Sequence, residues 1–374
     1  MERVDVLIVG GGPAGSSLAF GLRESGLRVR VMDRATFPRD KTCAGWVTPP
    51  VWKALRIDPA EYAEAGRTLQ PIRGFQIARS GDRASRAGGN AVVSHGIRRC
   101  EFDAFLLARC GADLHLGESV TTLVRETDGW LVNGSLRARV LVGAGGHFCP
   151  VARALTANQP RDTPIAAQEI EFPLSECEAA ALPVDAELPE IWFTRDLSGY
   201  GWVFRKGRFL NVGLGRRGGE RLSEQMRAFL CELRKARRIP ESWDGAVHGH
   251  AYLTYGIAHR PLWRPGVALI GDAAGLAYPK SGEGIRPAVE SGLLLAHALA
   301  SAHEFGDDSA LETYARAITT RFGPRANGAA AASEPRVPAW QAGLAGRLFA
   351  LPWFARHVVV ERWFLNARQP ALAS

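Results

Sequence analysis

Near its N-terminus the chain reads Val6-Leu7-Ile8-Val9-Gly10-Gly11-Gly12-Pro13-Ala14-Gly15. A short apolar run made largely of β-branched residues predicts a strand buried in a parallel sheet. It leads straight into a Gly-x-Gly-x-x-Gly turn and then a predicted helix over Ser16 to Ser25, with Leu18, Ala19 and Leu22 on its apolar face. Strand, glycine turn and helix together bring backbone N–H groups and the positive helix end to one point, where a pyrophosphate can sit. Gly10 permits the tight turn, Gly12 the close approach of phosphate, and Gly15 the close packing of helix on strand. A second predicted strand, Leu27 to Met32, ends at Asp33, where a carboxylate can hold a ribose hydroxyl. A lone glycine motif says little. These elements in this order predict a dinucleotide site.

The rest of the composition narrows the class. The chain has 374 residues, 46% hydrophobic and 22% charged, enough for a large core and two domains. It has no apolar run long enough to predict a membrane-spanning helix. The first strand starts too early for a signal peptide, so the expected compartment is the cytoplasm. Cys43, Cys100, Cys110, Cys149, Cys177 and Cys231 are scattered without a CxxC, which argues against a zinc site or a disulfide framework. Net charge is +8, spread over the sequence with small clusters at Arg216-Arg217 and Arg234 to Arg238. It reads as a solvated basic surface, with attraction to anionic lipid or an acidic partner as the alternative. No recognition motif for nucleic acid accompanies it.

Further along, Pro49 to Leu55 and Glu101 to Arg109 read as helices. Ile72 to Ala78, Ala91 to Ser94, Val120 to Val124, Trp130 to Val132 and Arg139 to Gly143 read as strands. From about 155 to 258 the pattern changes. Strands at Ile191 to Phe193, Gly201 to Phe204 and Phe209 to Leu214 surround one helix, Leu222 to Lys235, which predicts an antiparallel sheet in a second domain. Gly266 to Asp272 returns to the buried parallel pattern, and Gly284 to Ala300 is a helix. The expected division is 1–68, 95–154 and 259–300 as a nucleotide-binding domain, 69–94 and 155–258 as a substrate domain, and 301–374 as a helical C-terminal region.

Two more motifs join the first. Gly271-Asp272-Ala273-Ala274-Gly275 follows a buried strand, and Tyr278-Pro279-Lys280-Ser281-Gly282-Glu283-Gly284-Ile285 opens a helix. With Gly10 to Gly15, they resemble the para-hydroxybenzoate hydroxylase fold group of FAD enzymes. Within that group the chain is most similar to the geranylgeranyl reductase family. The residues that carry this are Phe37-Pro38-Arg39-Asp40-Lys41-Thr42-Cys43-Ala44-Gly45, Arg99-Cys100-Glu101-Phe102-Asp103, Tyr200-Gly201-Trp202-Val203-Phe204, Asn211-Val212-Gly213-Leu214-Gly215 and Gly271 to Ile285. The resemblance spans roughly residues 1–300. It implies an α/β fold with a Rossmann-like FAD-binding domain, a second domain on an antiparallel sheet, and a helical C-terminal tail.

The resemblance also assigns FAD contacts. Ala14 and the glycines around it, with Pro13, would hold the pyrophosphate, and Asp33 with Arg34 the adenosine ribose. Cys43 and Ala44 would line the flavin, Arg99 and Val120 would touch the cofactor, and Gly271 and Asp272 would hold the ribityl chain. Gly284 and Ile285 would meet the isoalloxazine, where a helix N-terminus suits the negative charge of reduced flavin. One family motif is replaced. Where Asp-Gly-x-x-Ser-x-x-Arg is usual, this chain has Gly145-Gly146-His147-Phe148-Cys149-Pro150-Val151-Ala152, followed by Arg153. That motif is associated with FAD and NAD(P)H, so the electron donor stays open among NAD(P)H, free reduced flavin and an electron-transfer protein.

Flavin supplies hydride transfer or oxygen activation; the protein supplies position and electrostatics. Cys43 is the candidate proton donor for C=C reduction, or else a small thiol lining the cofactor. Trp46, Tyr200, Trp202, Tyr278 and Pro279 are candidates to wall an apolar substrate pocket, against a plainer role for the aromatics in the core. His147 and His259 read as structural. The tail from Ala339 to Leu365 mixes Trp340, Trp353 and Trp363 with Arg347, Arg356 and Arg362. That mix suits a membrane surface, closure over a substrate pocket, or packing on a partner chain. The expected activity is reduction of C=C bonds in an apolar, isoprenoid-like substrate. The alternatives are a flavin monooxygenase of an aromatic or peptide-bound aromatic, and a non-redox carrier on the same fold.

Overall fold

The apolar N-terminal run becomes the Glu2–Val9 strand. It lies parallel between Val29–Asp33 and Leu136–Gly143. Asp113–Leu116 and Val267–Leu269 extend the parallel sheet on either side, and Trp263–Arg264 closes one edge antiparallel. Both faces of the central strands are covered, so Val6, Leu7, Ile8, Val140, Leu141 and Val142 are all buried. A hairpin of Leu123–Glu126 and Gly129–Val132 continues from Leu136–Gly143. The structure is a computed structural model. It describes residues 1–82, 84–159, 162–302, 308–325 and 338–372, apart from the side chains of Ala339, Trp340 and Ala342.

The chain forms two compact units. The first takes Met1–Arg39, Cys100–Asp162 and Tyr252–Ser333; the second takes Asp40–Arg99, Thr163–Ala251 and Glu334–Ser374. In the first unit, helices Pro13–Leu22 and Ile285–Ala300 pack in direct backbone contact. A Cβ on Gly292 would stand 2.4 Å from the Ala14 carbonyl oxygen, and one on Gly21 would stand 2.5 Å from the Ala296 Cβ. Helix Ser309–Phe322 completes the layer, its Tyr314 hydroxyl donating to the Leu269 carbonyl at 2.8 Å.

The second unit is built on a seven-stranded sheet in the order His248–Tyr252, Ile165–Pro173, Phe209–Arg217, Gly199–Lys206, Glu190–Phe193, Gly74–Arg79, Ser85–Gly88. Glu190–Phe193 runs parallel to Gly74–Arg79, while Ile165–Pro173, Phe209–Arg217, Gly199–Lys206 and Glu190–Phe193 pair antiparallel in turn. Helix Leu222–Lys235 covers this sheet with Met226, Phe229, Leu230 and Leu233. The C-terminal segment comprises Ala339–Phe349, Pro352–Phe354 and a π-helical stretch, Ala355–Phe364. It buries Phe349, Ala355, Val359, Val360 and Phe364 against Trp46, Phe75 and Phe204. Among the described residues no helix is long and apolar enough to cross a membrane.

Several element boundaries differ from those expected. The first helix starts at Pro13 rather than Ser16, because Gly12 serves as its N-cap and a proline loses nothing at the first helical position. The expected strand at Val120 to Val124 begins only at Leu123: the Thr121 and Thr122 N–H groups donate to the Asn133 side chain instead of a ladder. Ile72 to Ala78 is broken at Arg73, whose N–H donates to the Glu187 carbonyl. The strand expected at Ala91 to Ser94 starts at Ser94, and Ser85–Gly88 pairs with Gly74–Arg79 instead.

Candidate functional site

In the first unit the glycine turn is as tight as its spacing implies. Gly10 has φ +121°, and a Cβ there would fall 2.5 Å from the Ala144 backbone; one on Gly15 would strike the Gly10 carbonyl at 1.9 Å. The Asp33 carboxylate closes the mouth of the turn. One oxygen accepts from the Gly11 N–H at 2.8 Å and the other from the Ala35 N–H at 2.9 Å. The residues that sequence reasoning places on the ribose and on the pyrophosphate are thus joined by a hydrogen bond. Arg34, next in sequence, is exposed.

The late motif meets the early one here. Gly271, at φ +56°, would place a Cβ 2.9 Å from the Ala14 Cβ. Its N–H donates to the Ser291 hydroxyl at 2.9 Å. The Asp272 carboxylate lies beside Gly284, 3.1 Å from where a Cβ would be. Gly284 caps the helix that begins at Ile285. Arg260 ties the loops together, donating to the carbonyls of His147 at 2.8 Å and Ala273 at 3.1 Å. Ala14, Asp33, Gly271, Asp272, Gly284 and Ile285 therefore belong to one side of one unit, while Val120 packs at the edge of the same core.

Arg39 is a residue that sequence reasoning did not single out. Its guanidinium lies 3.4 Å from the position of a Cβ on Gly12 and pairs with the fully buried Asp103 at 3.3 Å. It also stacks over Phe37 at 4.6 Å. Its Nη1 is buried with no hydrogen-bond partner among the described residues. A cation with an unspent donor beside a helix N-terminus is a cradle for a diphosphate. The glycine turn, the Asp33 carboxylate and this donor fit the diphosphate and ribose of a dinucleotide.

Where the usual aspartate, serine and arginine are replaced, Cys149 fills the space. A Cβ on Gly143 would stand 3.1 Å from its Sγ. Burial pushes the Cys149 thiol pKa upward, which suits a packing role. Arg153 is exposed. His259, expected to be structural, pairs with Asp162 through both its backbone N–H and its ring.

The second unit holds the Cys43 loop, and its backbone is pinned from several directions. Asn211 Nδ2 donates to the Cys43 carbonyl at 3.2 Å, and Lys206 Nζ donates to the Ala44 carbonyl at 3.1 Å and the Ile97 carbonyl at 3.0 Å. The Ile97 N–H returns a bond to the Gly45 carbonyl at 2.8 Å. Gly45 itself sits at φ +68°, where a Cβ would meet the Ile97 carbonyl at 2.4 Å. Asn211 also donates to Glu169 at 2.8 Å and Glu171 at 3.1 Å, and accepts from the Trp202 indole at 2.7 Å. Lys206 forms an ion pair with Glu171, and Arg98 reaches the same carboxylate at 3.1 Å. Arg99 follows at the start of the next helix.

This cluster explains the Tyr200-Gly201-Trp202-Val203-Phe204 and Asn211-Val212-Gly213 motifs. Trp202 pairs with Gly213 across the strands, and its indole covers the glycine, where a Cβ would lie 2.1 Å from the ring. Gly201 leaves room for Phe229 of the covering helix, 2.6 Å from where its Cβ would be. Trp46 stacks on Phe204 with centroids 5.4 Å apart, and Phe364 of the C-terminal segment lies 5.7 Å from Trp46 and 5.3 Å from Tyr200. Trp46 and Trp202 are buried, and Tyr200 is partly exposed. In the first unit Tyr278 is buried beside Phe322, and Pro279 is exposed.

Electrostatically the two carboxylates differ. Burial pushes the Glu169 pKa up to about 7, against the pull of Lys206 and Asn211. Burial also acts on Glu171, but Lys206, Asn211 and Arg98 outweigh it and hold its pKa below the ordinary value. In the first unit, burial lifts Glu283 to about 7, opposed by the Arg286 N–H that it accepts at 2.6 Å and by the Arg286 charge. Only part of the signal for the cluster was present in sequence: Glu169 and Glu171 share one face of a strand, and Asn211 interrupts the apolar stretch of another.

A parallel sheet carrying this glycine turn in one unit, and a mostly antiparallel sheet in the other, are the architecture of an FAD-binding protein with a second, substrate-type domain. Residues 3–49 match the family described as FAD binding domain. A menaquinone reductase of Mycobacterium tuberculosis is 30% identical over 335 residues, 80% of this chain and 77% of that one. A digeranylgeranylglycerophospholipid reductase of Methanothrix thermoacetophila is 29% identical over 338 residues, 82% of this chain and 80% of that one. Among solved structures, a geranylgeranyl bacteriochlorophyll reductase-like protein of Thermoplasma acidophilum matches with TM-score 0.73 at 22% identity, covering 94% of this chain and 88% of that one. The chain belongs to the geranylgeranyl reductase family, and its cofactor is FAD.

Proposed function

We propose that this protein reduces C=C bonds in an apolar, isoprenoid-like chain. The observation that carries the reading is the Cys43 loop, held by Asn211 and Lys206 through its backbone carbonyls, in a chain of the geranylgeranyl reductase family. Bound flavin supplies the hydride; Cys43 supplies the proton to the other carbon. Gly10, Gly12, Pro13, Ala14 and Gly15 with Arg39 would hold the diphosphate of FAD, Asp33 with Arg34 its adenosine ribose, and Gly271 and Asp272 its ribityl chain. Gly284 and Ile285 would present N–H donors to the ring and Val120 would add a contact in the first unit; Cys43, Ala44 and Arg99 of the second unit are assigned to the cofactor by the family resemblance. Trp46, Tyr200 and Trp202 in the second unit, and Tyr278 and Pro279 in the first, are the residues we assign to substrate contact. Electrons come from an electron-transfer protein or free reduced flavin, since the family's Asp/Ser/Arg motif is replaced and Arg153 is exposed.

An apolar substrate of this class resides in membranes, and the C-terminal segment suits such a surface. Leu344, Leu351 and Trp353 are 51%, 53% and 67% exposed, and Arg347, Arg356 and Arg362 around them are exposed too. Exposed apolar groups flanked by cations bind anionic lipid. Trp353→Ser should release the protein from anionic vesicles; equal pelleting of both forms would argue against this contact.

The activity is tested by incubating the reduced protein anaerobically with a lipid extract and following masses. A lipid that gains two hydrogens supports the reading. Gain of one oxygen once air is admitted would instead support a monooxygenase, and no change with a colourless protein would support a carrier.

A further inference from the structure

In the second unit the C-terminal segment ends on a box of aromatic rings. Phe364 lies 5.7 Å from Trp46, 5.3 Å from Tyr200 and 6.3 Å from Phe75, centroid to centroid. Trp46 is 5% exposed, and its indole Nε1 is buried with no hydrogen-bond partner among the described residues. The rings packed around it belong to Phe75, Phe204 and Phe364. A ring face is a weak acceptor. A water needs two or more polar partners, which these rings do not offer. A buried indole N–H normally finds a partner. A closed box with such a donor inside suits an occupant that brings an oxygen of its own.

The cover of the box is held there by apolar contact. Helix Ala339–Phe349 is anchored. Gly346 packs on the Arg79–Asp82 ion pair so closely that a Cβ would stand 2.6 Å from the Asp82 carboxylate, and Phe349 stacks on Phe193 at 4.6 Å. The chain then runs extended at Leu351, φ −84° and ψ 117°, before Pro352 restarts it as a helix. Beyond that break Ala355, Val359, Val360 and Phe364 are buried in the apolar cluster of the sheet. Glu361 is engaged within the segment itself, by Arg356 at 3.1 Å and His357 at 2.8 Å. Apolar burial is non-directional, so a hydrocarbon chain can replace the Phe364 ring at little cost.

We propose that the box of Trp46, Phe75, Tyr200 and Phe204 binds a lipid with an uncharged oxygen acceptor on its apolar chain, that Phe364 fills the box until this lipid displaces it, and that the Trp46 N–H donates to the lipid oxygen. The inference rests on the assignment of Trp46 and Tyr200 to substrate contact. It narrows the substrate from any apolar chain to one bearing an ester, ether or carbonyl oxygen. A plain hydrocarbon leaves the indole donor as it is in the closed box.

The test follows the Trp46 indole proton of the FAD-loaded protein by nitrogen-resolved proton NMR, the peak being assigned by its loss in Trp46→Phe. Two probes are compared in detergent micelles: geranylgeranyl acetate, which carries an ester, and squalene, which has no oxygen. The acetate should move the indole proton downfield and slow its exchange with solvent, and squalene should do neither. Trp46→Phe keeps an aromatic ring and loses the donor. By calorimetry it should bind the acetate about fivefold to tenfold more weakly than the wild type does, and squalene equally well. Phe364→Ala leaves the box uncovered and should bind both probes more tightly. An indole proton that the acetate leaves unmoved overturns the proposal, whether or not the variants fold. So does a folded Trp46→Phe with wild-type affinity for the acetate, or a folded Phe364→Ala that binds both probes more weakly. The indole shift without anaerobic reduction of either probe by the reduced protein would sustain the site and fail the reductase reading. Reduction of the acetate with an unmoved indole proton would do the reverse.

Discussion

Ala14 and Gly271 meet across the first unit so closely that a methyl group on Gly271 would stand 2.9 Å from the Ala14 Cβ. Ala14 sits in the first turn of the helix proposed to receive the diphosphate, and Gly271 precedes the aspartate proposed for the ribityl chain.

Gly271→Val tests that closeness. It adds bulk where no space exists and places a β-branched residue at φ +56°. The variant should lose about 1–3 kcal/mol of stability and leave the column with little flavin. Wild-type FAD content in a stable variant would show that the contact is not needed.

Arg39→Ala removes the cation beside Gly12 and leaves the buried Asp103 without this partner. FAD affinity should fall about tenfold to a hundredfold, as expected for a charge-assisted bond to phosphate. Riboflavin, which has no phosphate, should bind both forms alike. Unchanged FAD affinity, measured by flavin fluorescence quenching, would remove Arg39 from the site.

Asn211→Leu strips partners from the Trp202 indole, Glu169, Glu171 and the Cys43 carbonyl at once. It should cost about 2–4 kcal/mol, since buried polar groups are left unpaired. Alkylation of Cys43 should change rate as its loop loosens. A neutral effect on both readouts would mean that the clamp is held by Lys206 alone.

Stability should depend on pH in a set direction. Glu169 and Glu283 have pKa values raised from 4.5 to about 7 in the folded chain, and burial raises Glu190 as well. The native state therefore keeps protons that the unfolded chain has already released. Their stabilising effect is full below 4.5 and is lost as pH rises through about 7. The melting temperature of the apoprotein should fall across that window, and the double variant Glu169→Gln, Glu283→Gln should flatten the slope. A melting temperature that rises over the window would contradict the assignment.

Much of the first unit was legible because its physics is local. A β-branched run, three glycines and a terminal acid fix a strand, a turn and the next strand within a few dozen residues; in the second unit, Leu222–Lys235 announces itself by period alone. Boundaries failed where a side chain took a backbone donor, as Asn133 does from Thr121 and Thr122. The buried clamp was hidden for a different reason. Glu169, Lys206 and Asn211 come from three strands, and only their cross-strand register brings them under Cys43. Arg39 was overlooked because its partner, Asp103, lies on a helix far along the chain.

The most direct test of the account is anaerobic stopped-flow on the FAD-loaded, fully reduced protein mixed with an unsaturated isoprenoid lipid. The expected result is return of the oxidised flavin absorbance in the absence of oxygen, with one lipid double bond lost per flavin reoxidised. Flavin that stays reduced with every such lipid, and reoxidises only when oxygen is admitted, would contradict it.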